Sequence, residues 1–180
     1  MKKISRRARI ATGGVVLAAV AAGTFGAVSA GATTPARPAA AVKSSDTVTS
    51  THLSVKAATE AAEAALDAAE KENQRVSVAV VDRNGNTLVT LRGDGAGPQS
   101  YESAIRKAFT AVSWNAPTSE LVKRLEQTPN LKDIPGTLFL GGGAPVTANN
   151  APIAGIGVAG APSGTLDEKF AQAGVAELAG

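Results

Sequence analysis

The chain has 180 residues, a length typical of a single domain. Its formal net charge of +3 is misleading, because five basic side chains lie in the first 32 residues and leave 13 basic against 15 acidic side chains in the rest. A basic nucleic-acid-binding domain is therefore disfavoured, and we expect no nucleic-acid partner. The absence of cysteine excludes disulfides, thiolate zinc sites and cysteine nucleophiles.

Residues 1–32 have the three parts of a secretory signal peptide. Residues 2–9 are basic, residues 11–30 carry no charge, and Val28-Ser29-Ala30 is a small-residue cleavage site. Ser5-Arg6-Arg7 resembles the twin-arginine export signal, although Arg9 stands where a hydrophobic residue is usual. The sequence therefore predicts a twin-arginine-like signal, with ordinary secretion as the alternative. Either route gives a secreted protein, extracellular or associated with the cell wall.

A flexible tail and a first helix follow the signal. Residues 33–52 are rich in Thr, Pro, Ala and Ser, which is typical of a tail that does not fold, and we expect the folded domain over residues 53–180. Ser54 is a good N-cap for a helix from Val55 to about Glu72. The predicted apolar face of this helix is Val55, Ala58, Ala62, Ala65, Leu66 and Ala69.

Two hairpins and three further helices are predicted in the remaining chain. Residues 76–81 and 87–92 are strands around the turn dipeptide Asn84-Gly85, and residues 101–114 are a helix. Thr118 is the expected N-cap of a short helix through Leu125. Residues 137–140, 145–147 and 153–158 are three strands, the last two joined by a turn at Asn149-Asn150, and residues 165–177 are the last helix.

The order of these elements is α-β-β-α-α-β-β-β-α. Consecutive hairpins joined by helices indicate an α+β fold. We therefore expect a single domain with a mainly antiparallel, five-stranded sheet packed with helices.

A glycine motif follows the last predicted strand. Gly155-x-Gly157-x-x-Gly160 matches the dinucleotide-binding fingerprint, but neither a further strand nor an acidic residue at the required distance follows in a βαβ unit. The favoured interpretation is that these glycines permit close packing on the sheet.

Carboxylates recur at helical spacing on the first helix. Glu60 and Glu63, and likewise Asp67 and Glu70, are three residues apart and share a face. Such a pair can present two carboxylates to iron or another hard cation. The alternative is a solvated, charged helix face.

Four other residues are candidates for binding. His52 is the only histidine of the chain and is either an exposed side chain or a ligand of a metal or haem iron. Arg106 and Lys107 form a cation pair near Thr110, which is either an exposed basic patch or a site for carboxylates. No Gly-x-Ser-x-Gly motif is present, so hydrolysis is disfavoured.

Four segments in a fixed order resemble the GlcG/HbpS-like haem-binding family. They are Ser77-Val78-Ala79-Val80-Val81-Asp82-x-x-Gly85-Asn86, Ser103-x-x-x-Lys107-Ala108-x-Thr110-Ala111, Pro117-Thr118-Ser119 and Gly155-Ile156-Gly157-Val158-x-Gly160-x-x-x-Gly164-x-x-Asp167-Glu168. The resemblance runs from about Leu53 to Ala179. No single segment is specific, but their order and spacing are.

The resemblance implies a function and a set of site residues. It implies an α+β sandwich assembled as an octamer, which binds b-type haem non-covalently outside the cell. Haem contacts would come from Thr110 at the iron, with Lys107, Arg106 and His52. Iron ions would bind at Asp67 and Glu70, with Glu60 and Glu63 second. It implies haem or redox sensing with a membrane sensor histidine kinase of a two-component system. The alternative is a haem-degrading or other small-molecule enzyme of the same family.

Overall fold

Helices cover both faces of one antiparallel sheet in the computed structural model, which describes residues 41–179. The expected signal peptide and residues 33–40 of the expected tail lie outside the described residues. Residues from Ser45 onward form one compact unit. No helix within residues 41–179 is long and apolar enough to cross a membrane.

Four helices and four strands make up the fold. They are α1 (Val55–Lys71), β1 (Ser77–Asp82), β2 (Thr87–Arg92), α2 (Pro98–Trp114), α3 (Thr118–Arg124), β3 (Gly143–Ala148), β4 (Ala151–Ala159) and α4 (Gly164–Glu177), with 3-10 turns at Ser44–Asp46 and Pro129–Asp133. The strands lie in the order β2-β1-β4-β3, and every neighbouring pair is antiparallel. The predicted α+β class with a mainly antiparallel sheet is confirmed.

Local sequence explains where several elements begin and turn. Ser54 caps α1, since its Oγ accepts a hydrogen bond from Ala57 N (3.2 Å). Asn149 and Asn150 both have positive φ, 50° and 60°, as a two-residue hairpin turn requires. These features confirm the predicted cap and the predicted β3–β4 hairpin.

The two faces of β1 bury different helices. Val78 and Val80 pack in one cluster with the α1 alanines and with Phe170 of α4. Val81, on the other face, packs against Ala108 and its neighbours on α2. The sheet therefore has α1 and the body of α4 on one face and α2 on the other, while the first turn of α4 still reaches α2 through Asp167 and Lys107. The expected α1 face is correct except for Val55, which is 60% exposed because it lies in the first turn, away from the sheet.

Glycines of β4 let α2 approach the sheet directly. A Cβ on Gly155 would lie 2.3 Å from Ala108 O, and one on Gly157 would lie 2.0 Å from Ala104 O. Any side chain would therefore displace the helix. The glycine motif thus has the packing role that the sequence favoured.

The prediction of five strands is wrong, because Thr137–Leu140 is not a strand. Its polar groups bond elsewhere: Leu138 N donates to Thr110 Oγ1 (2.8 Å), and Thr137 Oγ1 donates to Ile134 O (2.7 Å). Phe139 packs edge-on against Trp114, with ring centroids 5.3 Å apart. The segment therefore docks on helices instead of joining the sheet.

Two helix starts also differ from the prediction. α2 begins at Pro98 instead of Tyr101, since proline suits the first turn of a helix. Thr118 is the first residue of α3 and not its cap. Its Oγ1 instead accepts a hydrogen bond from Gly143 N (2.8 Å).

Candidate functional site

Lys107 lies in a buried ion pair between α2 and α4. Its Nζ is 2.7 Å from Asp167 Oδ2 and donates to Val158 O (3.0 Å), and both charged side chains are 5% exposed. Burial raises the pKa of Asp167, and the hydrogen bond and charge of Lys107 oppose this only in part. Lys107 is therefore not part of an exposed basic patch.

A glycine loop closes over this pair. Gly142, with φ of 124°, leaves no room for a side chain, because a Cβ would lie 2.8 Å from Lys107 Nζ. Beside it, Glu168 accepts hydrogen bonds from Ser119 N (2.9 Å) and Ser119 Oγ (2.5 Å), which ties α4 to the start of α3. This polar network fastens three helices together.

Thr110 is fully buried, with its hydroxyl already bonded twice. Oγ1 donates to Arg106 O (2.7 Å) and accepts from Leu138 N (2.8 Å). The hydroxyl therefore anchors the loop after α3 on α2. Its role toward haem iron stays a prediction, and such a role would require the contact with Leu138 to open.

Arg106 is exposed and lines a small polar cleft on the outer face of α2. It forms an ion pair with Glu102, one helical turn earlier. The cleft has a volume of about 220 Å³, and Gln99, Ser103 and Leu138 also line it. A guanidinium at this position can pair with a carboxylate of a ligand.

His52 is exposed and lies away from α2. It precedes α1, which covers the opposite face of the sheet, so the structure does not bring His52 together with Thr110. Ser50 Oγ lies 2.6 Å from its Nε2. Burial tends to raise the pKa of Asp82, but hydrogen bonds from Asn86 and Asn84, with the charge of His52, hold that pKa below its usual value.

The four carboxylates of α1 form one exposed stripe. Glu60, Glu63, Asp67 and Glu70 all face solvent, and Glu60 also pairs with Lys56. Within residues 41–179 no group of three or more His, Asp or Glu side chains is close enough to hold a metal ion. A cation on this stripe would therefore bind to two carboxylates and complete its shell with water.

An apolar groove lies between α1, α4 and the β3–β4 hairpin, and we call it the α1/α4 groove. Its volume is about 430 Å³. The walls are chiefly apolar and include Leu53, Pro145, Val146, Ile153, Val175 and Leu178. The sequence analysis did not find this groove, because its walls come from four separate parts of the chain.

The sequence analysis also missed Asp167 and Glu168 as partners of the candidate site. Both appear in the segments that resemble the family, yet their acidic side chains on a terminal helix gave no reason to expect burial. The one available signal was that the segments resembling the family contain both a basic residue, Lys107, and two acidic residues, Asp167 and Glu168, that follow a run of glycines.

Comparisons with solved structures find the same fold in known proteins. A crystal structure of HbpS is 73% identical and has a TM-score of 0.77, covering 78% of this chain and 99% of its own. The crystal structure of a Streptomyces reticuli HbpS double mutant, in which two glutamates three positions apart are replaced by aspartate, is 71% identical with a TM-score of 0.79, covering 81% and 99%. A crystal structure of a PduOC–haem complex is 28% identical with a TM-score of 0.65, covering 71% and 95%.

The family match agrees with these structures. Residues 53–176 match the family described as "Haem degrading protein HbpS-like", and this range covers well over half of the chain. The chain belongs to the HbpS-like family.

Proposed function

We propose that this protein binds haem outside the cell and reports haem, iron or redox stress. The observation that carries the proposal is the family match over residues 53–176, joined to structural similarity with a protein solved in complex with haem. Haem would be held without covalent links, as a b type, since the chain has no cysteine to form thioether bonds.

The described residues fit such a ligand. On the α1 side of the sheet, an apolar groove suits the macrocycle, and His52, just before α1, offers an imidazole. On the α2 side, Arg106 offers an exposed guanidinium for a propionate, so one haem would use one set of groups or the other. Bound haem would supply redox chemistry at its iron. The protein's own residues would bind and orient it.

Iron ions would bind at the carboxylate stripe of α1. Asp67 and Glu70 are the first candidates, and Glu60 and Glu63 the second. Support comes from their shared exposed face and from the double mutant of Streptomyces reticuli HbpS, in which two glutamates with the same three-residue spacing were changed. Two carboxylates with water give a loose site, which suits exchange of iron with the surroundings.

Export, assembly and signalling complete the proposal. The basic and apolar halves of residues 1–32 support export by a twin-arginine-like signal. Exposed apolar side chains on the domain, such as Tyr101 (45%) and Leu140 (55%), support assembly, for which we propose an octamer. The family resemblance supports a membrane sensor histidine kinase of a two-component system as partner.

Haem degradation is the second candidate function. The family description itself favours it, because it names a haem-degrading protein. Under this alternative the same bound haem is consumed instead of being sensed.

Haemin titration of the full chain tests the proposal. We expect a saturable Soret band that co-elutes with a uniform oligomer in size-exclusion chromatography, and that persists after addition of peroxide or ascorbate. Loss of the band with release of iron would favour the degradation alternative. The absence of any saturable band would refute both.

A further inference from the structure

The outer edge of β2 carries free main-chain groups. Gly93 N donates to Val76 O (2.9 Å), and in an antiparallel pair the residues that bond to the neighbouring strand alternate. In the register of β1 and β2, Leu91 and Val89 are the next residues that bond to β1, so the N–H and C=O groups of Thr90 point away from it. No other element in the described part of the chain forms a hydrogen bond with these two groups.

The opposite edge of the sheet, β3, is closed. Val158 N donates to Gly142 O (2.7 Å). By the same alternation, Gly143 and Pro145 are the residues of β3 whose main-chain N atoms point outward. Gly143 N donates to Thr118 Oγ1 of α3 (2.8 Å), and Pro145 has no N–H to offer. A proline and a covering helix are both common means of preventing an edge strand from pairing with another chain.

The strand β2 has neither of these protections. It contains no proline, and its one charged residue is Arg92 at its end. The other residues are Thr, Leu and Val, of which Thr and Val favour strands. The irregularity in its pairing lies between Val80 and Val81 of β1, toward the hairpin turn, so the second half of β2 is regular. The sheet therefore has one closed edge and one open edge.

An unpaired hydroxyl lies on the open edge. Thr90 Oγ1 is the one buried side-chain polar atom of residues 41–179 that has no hydrogen-bond partner. A buried polar group without a partner costs free energy, and most such groups in folded proteins are paired. The main chain and the side chain of Thr90 thus lack partners at the same point of the edge.

We propose that β2 is an interface between two copies of this chain, in which the two β2 strands pair antiparallel about a two-fold axis at Thr90. In this register the N–H of each Thr90 donates to the C=O of the other, and Arg92 lies opposite Leu88 of the second copy. The two Thr90 side chains stand opposite each other on the same face, where threonine hydroxyls commonly bond to one another. The two copies then share one sheet of eight strands, four from each copy.

The inference rests on the proposed assembly and supplies one of its contacts. A two-fold contact uses the same surface on both copies and joins two copies at most. An octamer would therefore need further contacts elsewhere on the domain. Pairing through β2 requires no haem, so it can be tested apart from haem binding.

Sedimentation of the full chain without haem, over a range of concentrations, tests the interface. Thr90→Pro removes the outward N–H but none of the bonds to β1, and an edge strand tolerates proline at such a position. We expect Thr90→Pro to raise the concentration at which the assembly dissociates by about tenfold or more, because each pair of copies loses two main-chain hydrogen bonds. Thr90→Val is the matched control, since it keeps the N–H and should change that concentration by at most about fivefold. Circular dichroism checks that both variants fold.

Cross-linking gives a second readout that does not depend on the proline variant. The chain has no cysteine, so Thr90→Cys introduces a single thiol. A short bis-maleimide should join two Thr90→Cys chains rapidly, because the paired residues would have Cα atoms about 5.5 Å apart. Thr147→Cys on β3 is the control: its side chain is more exposed than that of Thr90, yet it should cross-link more slowly.

The outcomes separate the interface from the assembly and from haem binding. Weaker association of Thr90→Pro, or rapid cross-linking of Thr90→Cys if the proline variant does not fold, supports the inference. If the wild type assembles and a folded Thr90→Pro associates equally well, the interface is overturned and the assembly must use other surfaces. Equal rates of cross-linking at Thr90→Cys and Thr147→Cys also overturn it. A wild type that stays monomeric overturns both the interface and the proposed assembly, whereas haem binding is decided by the haemin titration.

Discussion

Replacement of Lys107 by methionine should strongly destabilise the fold. Methionine preserves most of the side-chain length but removes the ammonium group that lies 2.7 Å from Asp167, in a place where both side chains are 5% exposed. Asp167 is then left as a buried carboxylate without a counter-charge. Breaking a buried pair in this way costs about 3–5 kcal/mol. That is a large share of the roughly 5–15 kcal/mol that holds a typical domain together.

The assay is urea unfolding at pH 7, followed by far-ultraviolet circular dichroism. The neighbouring Arg106→Met is the matched control, because it breaks an exposed pair with Glu102 that is worth about 0.2–1 kcal/mol. The double variant Lys107→Met/Asp167→Leu should recover part of the loss, since no uncompensated charge then remains.

The structural role of Lys107 also predicts how the Lys107→Met variant binds haemin. At a temperature where the variant is still folded, Lys107→Met should bind haemin as the wild type does. If Lys107→Met is as stable as Arg106→Met, the reasoning from burial is refuted. It is also refuted if Lys107→Met keeps the stability of the wild type but no longer binds haemin.

Three further changes test separate parts of the account. Gly157→Ala should cost about 1–3 kcal/mol or more in urea unfolding, because its Cβ would lie 2.0 Å from Ala104 O; an unchanged midpoint would contradict the packing role. The pKa of Asp82 lies below its unfolded value of 3.8, so its contribution to stability is present above about pH 4 and is lost as the pH falls through the folded pKa. Asp82→Asn should therefore flatten the fall of the urea midpoint between about pH 4 and pH 2, and an equally steep fall would argue against this. Asp67→Asn with Glu70→Gln should reduce iron uptake while changing stability by only about 0.5 kcal/mol, as surface changes usually do, and undiminished uptake would mean a merely solvated face.

Elements with local causes were predictable from the sequence. Ser54 caps α1 through an atom three residues away, and Asn149-Asn150 forms its turn from its own backbone preferences. The alanine stripe of α1 follows helical periodicity. Each of these depends on residues that are close in the sequence, so a pattern could reveal it.

Features that depend on distant partners were not predictable. Leu138 bonds to Thr110, 28 residues away, and this contact turns an apparent strand into a docked loop. Lys107 and Asp167 are 60 residues apart, so no local pattern could decide whether Lys107 lies in an exposed basic patch or in a buried ion pair. The sheet also separates His52 from the α2 candidates, a division that appears only once the strand order is known.

Haem content of the exported protein is the most direct test of the central claim. The protein should be recovered from outside cells that express the full chain, and haem should be counted per chain. The account predicts stoichiometric haem on a chain that has lost about the first 30 residues at its small-residue cleavage site. Exported protein that carries no haem, and takes up none when haemin is supplied, would contradict it.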